Sequence, residues 1–184
     1  MAPAAVVGTR PVCVGDRRLN QGFVCDQQAG YRPVHAKYYL PDEAGFWEAS
    51  WYDRGDADFT AFRSGGVRAG MLICTELWFM ERARAYGKAG IHLLVAPRAT
   101  PRETLDKWLA GGRAAAVVAG AFALSSNRIS GVDETANLGG QGWAVSPDGD
   151  VLGLTSHEQQ FVTVALDLAE AERAKQTYPR YVPD

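Results

Sequence analysis

The sequence predicts an α/β fold, and three observations carry that prediction. Gly70-Met71-Leu72-Ile73-Cys74 is a continuous apolar run, as expected of a strand buried on both faces, and residues 91–96 form a second apolar run. Between them, residues 76–89 set Leu77, Met80, Arg84 and Gly87 at helical intervals, and Gly90 stands where such a helix stops. Strand, helix and strand within about 30 residues make a βαβ crossover, which requires the two strands to be parallel. A further helix and a third apolar run follow directly, so the alternation continues.

Taken in chain order, residues 4–7 and 12–14 read as short strands separated by Gly8-Thr9-Arg10-Pro11. Gly15-Asp16-Arg17-Arg18 reads as a turn, and residues 19–26 as a strand closing on a turn at 27–30. With a strand at 34–40 these segments resemble a meander. Pro41-Asp42-Glu43-Ala44-Gly45 then opens an aromatic-rich loop, Phe46-Trp47-Glu48-Ala49-Ser50-Trp51-Tyr52. Residues 59–62 and 67–74 read as the next strands, with Ser64-Gly65-Gly66 turning between them. Pro101 suits the first turn of a helix over 101–119, whose Gly and Ala content points to close packing on a sheet. A strand at 121–126 follows, then a hairpin (142–145 and 151–154) around Ser146-Pro147-Asp148-Gly149-Asp150, and a last strand at 161–166.

Composition excludes several classes. The chain has 184 residues, 47% hydrophobic and 22% charged, with a formal charge of −2; that is enough for one soluble domain with its own core. Scattered basic residues and near-neutral charge leave no footprint for nucleic acid. The longest apolar stretch, 114–124, is short of the roughly 20 residues a membrane span needs. No basic flank or cleavage signature marks a secretory signal, so the expected location is cytoplasmic. Cys13, Cys25 and Cys74 show no CxxC spacing, which argues against a disulfide framework or a zinc site.

Sites in open α/β sheets lie beyond the carboxyl ends of strands. Cys74 stands at such an end, directly before a helix, where backbone N–H groups and the helix dipole favour a thiolate and can hold an oxyanion. Its alternative reading is a small buried apolar residue. Cys13 and Cys25, in strand-like runs, read as buried. His35 reads as a partly exposed sheet position, His92 as a packing residue and His157 as solvated; a Cys–His pair is open but has no motif behind it. Lys37, in an apolar and aromatic stretch, either snorkels to solvent or faces developing negative charge. Glu48, between Trp47 and Trp51, is either an exposed loop carboxylate or a paired one.

Taken together, Lys37-Tyr38-Tyr39-Leu40-Pro41-Asp42-Glu43, Gly45-Phe46-Trp47-Glu48, Trp51-Tyr52-Asp53-Arg54-Gly55-Asp56 and Gly70-Met71-Leu72-Ile73-Cys74-Thr75-Glu76-Leu77-Trp78-Phe79-Met80-Glu81 resemble the nitrilase, or carbon–nitrogen hydrolase, superfamily. Ala96-Pro97, Ser126-Asn127-Arg128, Gly139-Gly140-Gln141-Gly142 and Ser146-Pro147-Asp148-Gly149 fit the same pattern, so the likeness runs from about residue 5 to the end. It implies an α-β-β-α sandwich, paired into homo-oligomers, that hydrolyses a non-peptide C–N bond of a small amide, carbamoyl or nitrile substrate. It implies no metal and no organic cofactor. On this chain Cys74 matches the nucleophile of a Glu-Lys-Cys triad, which forms a thioester. Lys37 matches the triad lysine, which stabilises the tetrahedral intermediate together with the backbone N–H of Thr75. Glu48 matches a second glutamate near that lysine, and Trp78 joins Thr75 as a candidate substrate contact. Trp47, Trp51, Trp78 and Phe79 are candidates for an aromatic pocket.

Three departures stand out. The triad's general base is a glutamate well before the lysine, yet the first glutamate here is Glu43. The resemblance therefore implies a single domain over 1–184 that begins partway into the fold, lacking about two βα units of roughly 30 residues each, with impaired hydrolysis. Glu76 stands where the family commonly has aspartate, and Met80 where it commonly has proline. No arginine pair follows the nucleophile to grip a carboxylate, so the likeness is to amidases and carbamoyl-amine hydrolases. The rival reading is a non-catalytic module retained for assembly, and a third is a cysteine–histidine hydrolase or transferase.

Overall fold

The computed structural model describes residues 4–131 and 137–183. Its N-terminal part is an antiparallel meander of β1 (Ala5–Val14), β2 (Arg17–Asp26) and β3 (Gly30–Ala36), in that order. β1 runs unbroken through Gly8-Thr9-Arg10-Pro11, where the sequence predicted a gap; Pro11 pairs in register with Asn20. An edge strand tolerates proline because one side of it needs no donor. β3 ends at Ala36 instead of continuing to residue 40. Cys13 and Cys25 are exposed in these strands rather than buried.

A small hairpin of β4 (Asp42–Glu43) and β5 (Phe46–Trp47) leads into the single turn α1 (Glu48–Trp51). The rest of the chain builds the main sheet from β6 (Phe62–Ser64), β7 (Val67–Met71), β8 (Leu93–Val95), β9 (Phe122–Ser125), β10 (Trp143–Val145) and β11 (Val151–Leu154). Its spatial order is β11-β10-β9-β8-β7-β6, with β7, β8 and β9 parallel and the flanking pairs antiparallel. The predicted strand at 59–62 contributes only Phe62. Helix α2 (Met80–Lys88) links β7 to β8, and α3 (Leu105–Ala119) links β8 to β9. The single helix predicted over 76–89 is instead a 3-10 turn, Cys74–Trp78, and α2, separated by Phe79 at φ −91° and ψ 78°.

Residues 161–166 form no strand, although they alternate exposed and half-buried, and Val162 and Val164 lie against Gly153 of β11. They are followed by α4 (Leu168–Ala174), capped by the Asp167 carboxylate, which accepts from the Ala169 N–H at 3.0 Å. Sequence reading did not anticipate this helix.

Helices cover one face of the main sheet and the meander packs on part of the other, which explains the apolar runs. Leu72, Leu94 and Val145 join Leu77, Tyr86, Trp108 and Ala115 in a core beneath α2 and α3. Met71, Ile73, Ala69 and Phe62 point the other way and pack with Val24 of the meander. Each fully buried Leu, Ile, Val or Met among them contributes about 1.5–3 kcal/mol. The layers are thus helices, sheet and second sheet. α3 packs close because Gly112 leaves room for Trp143, whose ring lies 2.4 Å from where a Cβ would stand. Gly120, at φ 57°, ends α3 in the left-handed region. Among the described residues no helix is long and apolar enough to cross a membrane.

Candidate active site

Parallel strands β7, β8 and β9 bring their carboxyl ends to one edge of the sheet, and the backbone pairing continues past them. The Leu72 N–H donates to Val95 O (2.9 Å), the Cys74 N–H to Pro97 O (3.0 Å) and the Arg98 N–H to Ser126 O (3.0 Å). At Cys74 the chain turns sharply out of the sheet. Its φ is 51°, a left-handed conformation that a side-chain-bearing residue holds only at a cost of about 1–3 kcal/mol.

Cys74 lines a cavity of about 430 Å³. Gly8 and Thr9 of β1, Asn20 of β2, Glu48, Arg98 and residues 126–128 line it as well. Glu48 reaches it from the start of α1, where it accepts from Lys37 Nζ at 2.5 Å. The Lys37 ammonium is fully buried and Glu48 is 22% exposed, so the pair holds a dry cation against a carboxylate that borders the cavity. Lys37 follows β3 directly. Its N–H donates to Asn20 O, and its carbonyl accepts from the Gly55 N–H, both at 2.9 Å.

Glu76 ties the two segments together. It is fully buried; Oε1 accepts from the Tyr38 N–H at 2.8 Å, and Oε2 from the Ile73 N–H at 2.8 Å. His35 Nε2 lies 2.7 Å from the same Oε2, and its Nδ1 lies 2.8 Å from Asp58 O. Nδ1 faces a carbonyl, which makes it the donor there, and Nε2 lies against the carboxylate. One carboxylate thereby holds the residue after Lys37 and the residue before Cys74. His35 is a buried partner of Glu76, not the partly exposed sheet position expected: the period of a strand puts residues 35 and 37 on one face, and that face is covered. His92 is satisfied by the Arg68 N–H (3.1 Å) and Glu172 (2.6 Å), and His157 is exposed. None of the three histidines lines the cavity with Cys74.

The structure therefore gathers Cys74, Glu48 and, through Glu48, Lys37. Thr75 follows Cys74 in the 3-10 turn and is half-buried. Trp78 is 39% exposed and packs on Trp108 and Gly111, outside the cavity lining. Trp47 and Trp51 are exposed, and Phe79 stacks on Tyr39 with ring centroids 3.5 Å apart, so these aromatics do not form a pocket around Cys74. Among the described residues no three His, Cys, Asp or Glu side chains cluster as metal ligands.

Sequence reading missed Arg98 and the bridging role of Glu76. A charged residue directly after a buried strand, in Ala96-Pro97-Arg98, was the available signal for the first. Burial pulls Arg98 down to about 10, with the charge of Cys74 acting in the opposite direction.

A two-sheet α/β sandwich with its polar cavity beyond parallel strand ends is the class that this fold defines. Within it the chain belongs to the carbon-nitrogen hydrolase family, whose family model matches residues 1–176. It is 29% identical over 180 residues to the chloroplastic omega-amidase of Arabidopsis thaliana, covering 94% of this chain and 48% of that protein. It is 28% identical over 159 residues to the N-carbamoylputrescine amidase of Oryza sativa subsp. japonica, covering 77% of this chain and 52% of that protein. The chain thus spans about half the length of these two relatives. A carbon-nitrogen hydrolase structure from Helicobacter pylori G27 superimposes with a TM-score of 0.83 at 20% identity, covering 97% of this chain and 66% of that one. That likeness bears on the fold, and it agrees with the sandwich that the sequence resemblance implies.

Proposed function

We propose that this chain carries the nucleophile-bearing part of a hydrolase that cleaves an amide, carbamoyl or nitrile C–N bond through Cys74. The observation that carries the proposal is the left-handed turn that presents Cys74 to a cavity shared with Glu48. In this reading the Cys74 thiolate attacks the substrate carbon. With an amide or carbamoyl substrate, the resulting oxyanion is held by the backbone N–H of Thr75 and by the Lys37 ammonium, which Glu48 orients; a nitrile would give a thioimidate, to which water adds before ammonia leaves. Collapse of the tetrahedral intermediate expels ammonia or an amine, which takes up a proton as it leaves, and forms a thioester. Water then releases the acid and restores the thiol. The names of the relatives support primary amides and N-carbamoyl amines as the first substrates to try.

Hydrolysis by this chain alone is weak in the same reading. Glu48 is engaged by Lys37, Glu76 by His35 and two N–H groups, and no glutamate precedes Lys37 to take the thiol proton. A second cavity, about 750 Å³ and lined by Val7, Phe62, Leu93, Val95, Leu124 and Val164, lies between the sheets, an apolar volume suited to further strands. That cavity also favours the second reading, a module kept for assembly into homo-oligomers. Three free cysteines suit a reducing, cytoplasmic setting.

The test is hydrolysis of a panel of primary amides, N-carbamoyl amines and nitriles by the chain, by its Cys74→Ala variant, and by the chain extended with two βα units from a full-length relative. A positioned base contributes about 10²–10⁴-fold, and the extended form should gain by that factor. Rates within a few-fold of each other would remove the impairment. An extended form as active with Cys74→Ala as without it would remove the nucleophile. An extended form inactive on the whole panel, whose Cys74 is alkylated no faster than Cys13 or Cys25, would leave the assembly reading.

A further inference from the structure

We propose that Arg98 is the fixed counter-charge of the Cys74 thiolate, a positioning residue that acts through the nucleophile; the inference rests on the nucleophile reading above. Arg98 is only 7% exposed, and its guanidinium lies near the rings of Trp108 and Trp143, 5.7 and 5.5 Å from their centroids. Its fork is pinned on three sides. Nε donates to Ser125 Oγ (2.8 Å), Nη1 to Thr100 Oγ1 (2.7 Å) and Nη2 to Gln141 O (2.5 Å). All three acceptors are neutral. Among the described residues no carboxylate pairs with it, although a cation taken this far out of water ordinarily needs an anion.

The anion at hand is Cys74. Its N–H donates to the carbonyl of Pro97, the residue before Arg98, and both side chains belong to residues lining one cavity. The other charged groups around Cys74 are accounted for in different ways. Glu48 is bonded to Lys37, and Glu76 lies behind the turn with His35, Ile73 and Tyr38. Arg128 borders the same cavity from the segment after β9. Arg98 is therefore a buried cation whose charge is balanced only when the thiol loses its proton. Its three neutral hydrogen bonds hold the guanidinium still, so no reorganisation is needed as the thiolate forms.

The deciding experiment measures carbamidomethylation of Cys74, Cys13 and Cys25 by iodoacetamide, site by site by mass spectrometry, from pH 5 to 9. It uses the intact chain, Arg98→Met and Arg98→Lys, with circular dichroism to verify the fold. In the native chain Cys74 should outpace the two exposed cysteines at pH 6. Arg98→Met should slow Cys74 about tenfold there, the factor carried by a one-unit displacement of the rate–pH curve, and leave Cys13 and Cys25 unchanged. Arg98→Lys, which keeps the charge, should retain most of the native rate. A folded Arg98→Met variant with the native Cys74 profile would overturn the role of Arg98 and leave the nucleophile standing. A native Cys74 no faster than Cys13 or Cys25 would instead overturn the nucleophile reading itself. Should Arg98→Met lose its fold, the lysine variant decides: a tenfold slower Cys74 with the charge still present overturns the counter-charge.

Discussion

Replacing Glu76 with alanine removes the one side chain that bridges the segment bearing Lys37 and the segment bearing Cys74. Three donors lose their acceptor at once: the Tyr38 N–H, the Ile73 N–H and the His35 imidazole, all within 2.8 Å of the carboxylate. Each buried donor left unmade costs about 1–3 kcal/mol, and some of that is recovered where water enters the space. With three buried donors losing one acceptor, the expected loss is about 3–5 kcal/mol. For a chain of this length 1 kcal/mol is worth about 2–4 °C, so the melting temperature should fall by roughly 6–20 °C. Urea unfolding followed by far-ultraviolet circular dichroism gives the number directly. Glu76→Asp keeps the charge one methylene short and should lose less than half as much. A cycle with His35→Ala should return a coupling of about 0.5–3 kcal/mol. A Glu76→Ala variant within about 1 kcal/mol of the parent would refute the bridging role.

Three further outcomes follow from the same physics. Glu48→Ala leaves the fully buried Lys37 ammonium unpaired and should cost about 3–5 kcal/mol, whereas Lys37→Met fills the space with an apolar chain and should cost less; the opposite order in urea would contradict the pairing. Asp26 is held at about 2, well below its ordinary 3.8, by the Ala29 N–H first and then by Ser64, Arg32 and Gln28. Its stabilising contribution is complete above about pH 4 and fades as the pH falls towards 2. Asp26→Asn should therefore flatten the stability–pH curve in that window, and an unchanged acid-unfolding profile would count against it. Gly112→Ala sets a methyl 2.4 Å from the Trp143 ring and should destabilise by about 1–3 kcal/mol despite alanine's better helix propensity. A rise in melting temperature would show that the ring can give way.

The βαβ alternation was legible because it is written in local pattern. Gly70 to Cys74 and residues 93–96 are apolar at every position because Leu72 and Leu94 face the helices while Met71 and Ile73 face the meander. The hairpin around Ser146-Pro147-Asp148-Gly149-Asp150 was equally local, with β11 spanning the residues expected of it. The continuity of β1 was not legible, since Gly8 and Pro11 carry turn signals that only an edge position neutralises. The strand expected at 161–166 has the right alternation but no ladder partner. Alternation reports which face is covered, not which backbone groups are paired.

At the site the division is of the same kind. The sequence by itself determined the family and singled out Cys74, Lys37 and Glu48, because their residue types, order and spacing survive in one dimension. It also determined that Cys74 stands where a parallel strand gives way to a helical turn. Only the tertiary structure decided that Lys37 is dry and bonded to Glu48, that His35 and Glu76, 41 residues apart, meet at 2.7 Å, and that Arg98 follows the segment bonded to Cys74. The reason is electrostatic. A charge in water is indifferent to residues far along the chain, whereas a charge out of water is set by the few atoms around it, and folding alone chooses those atoms.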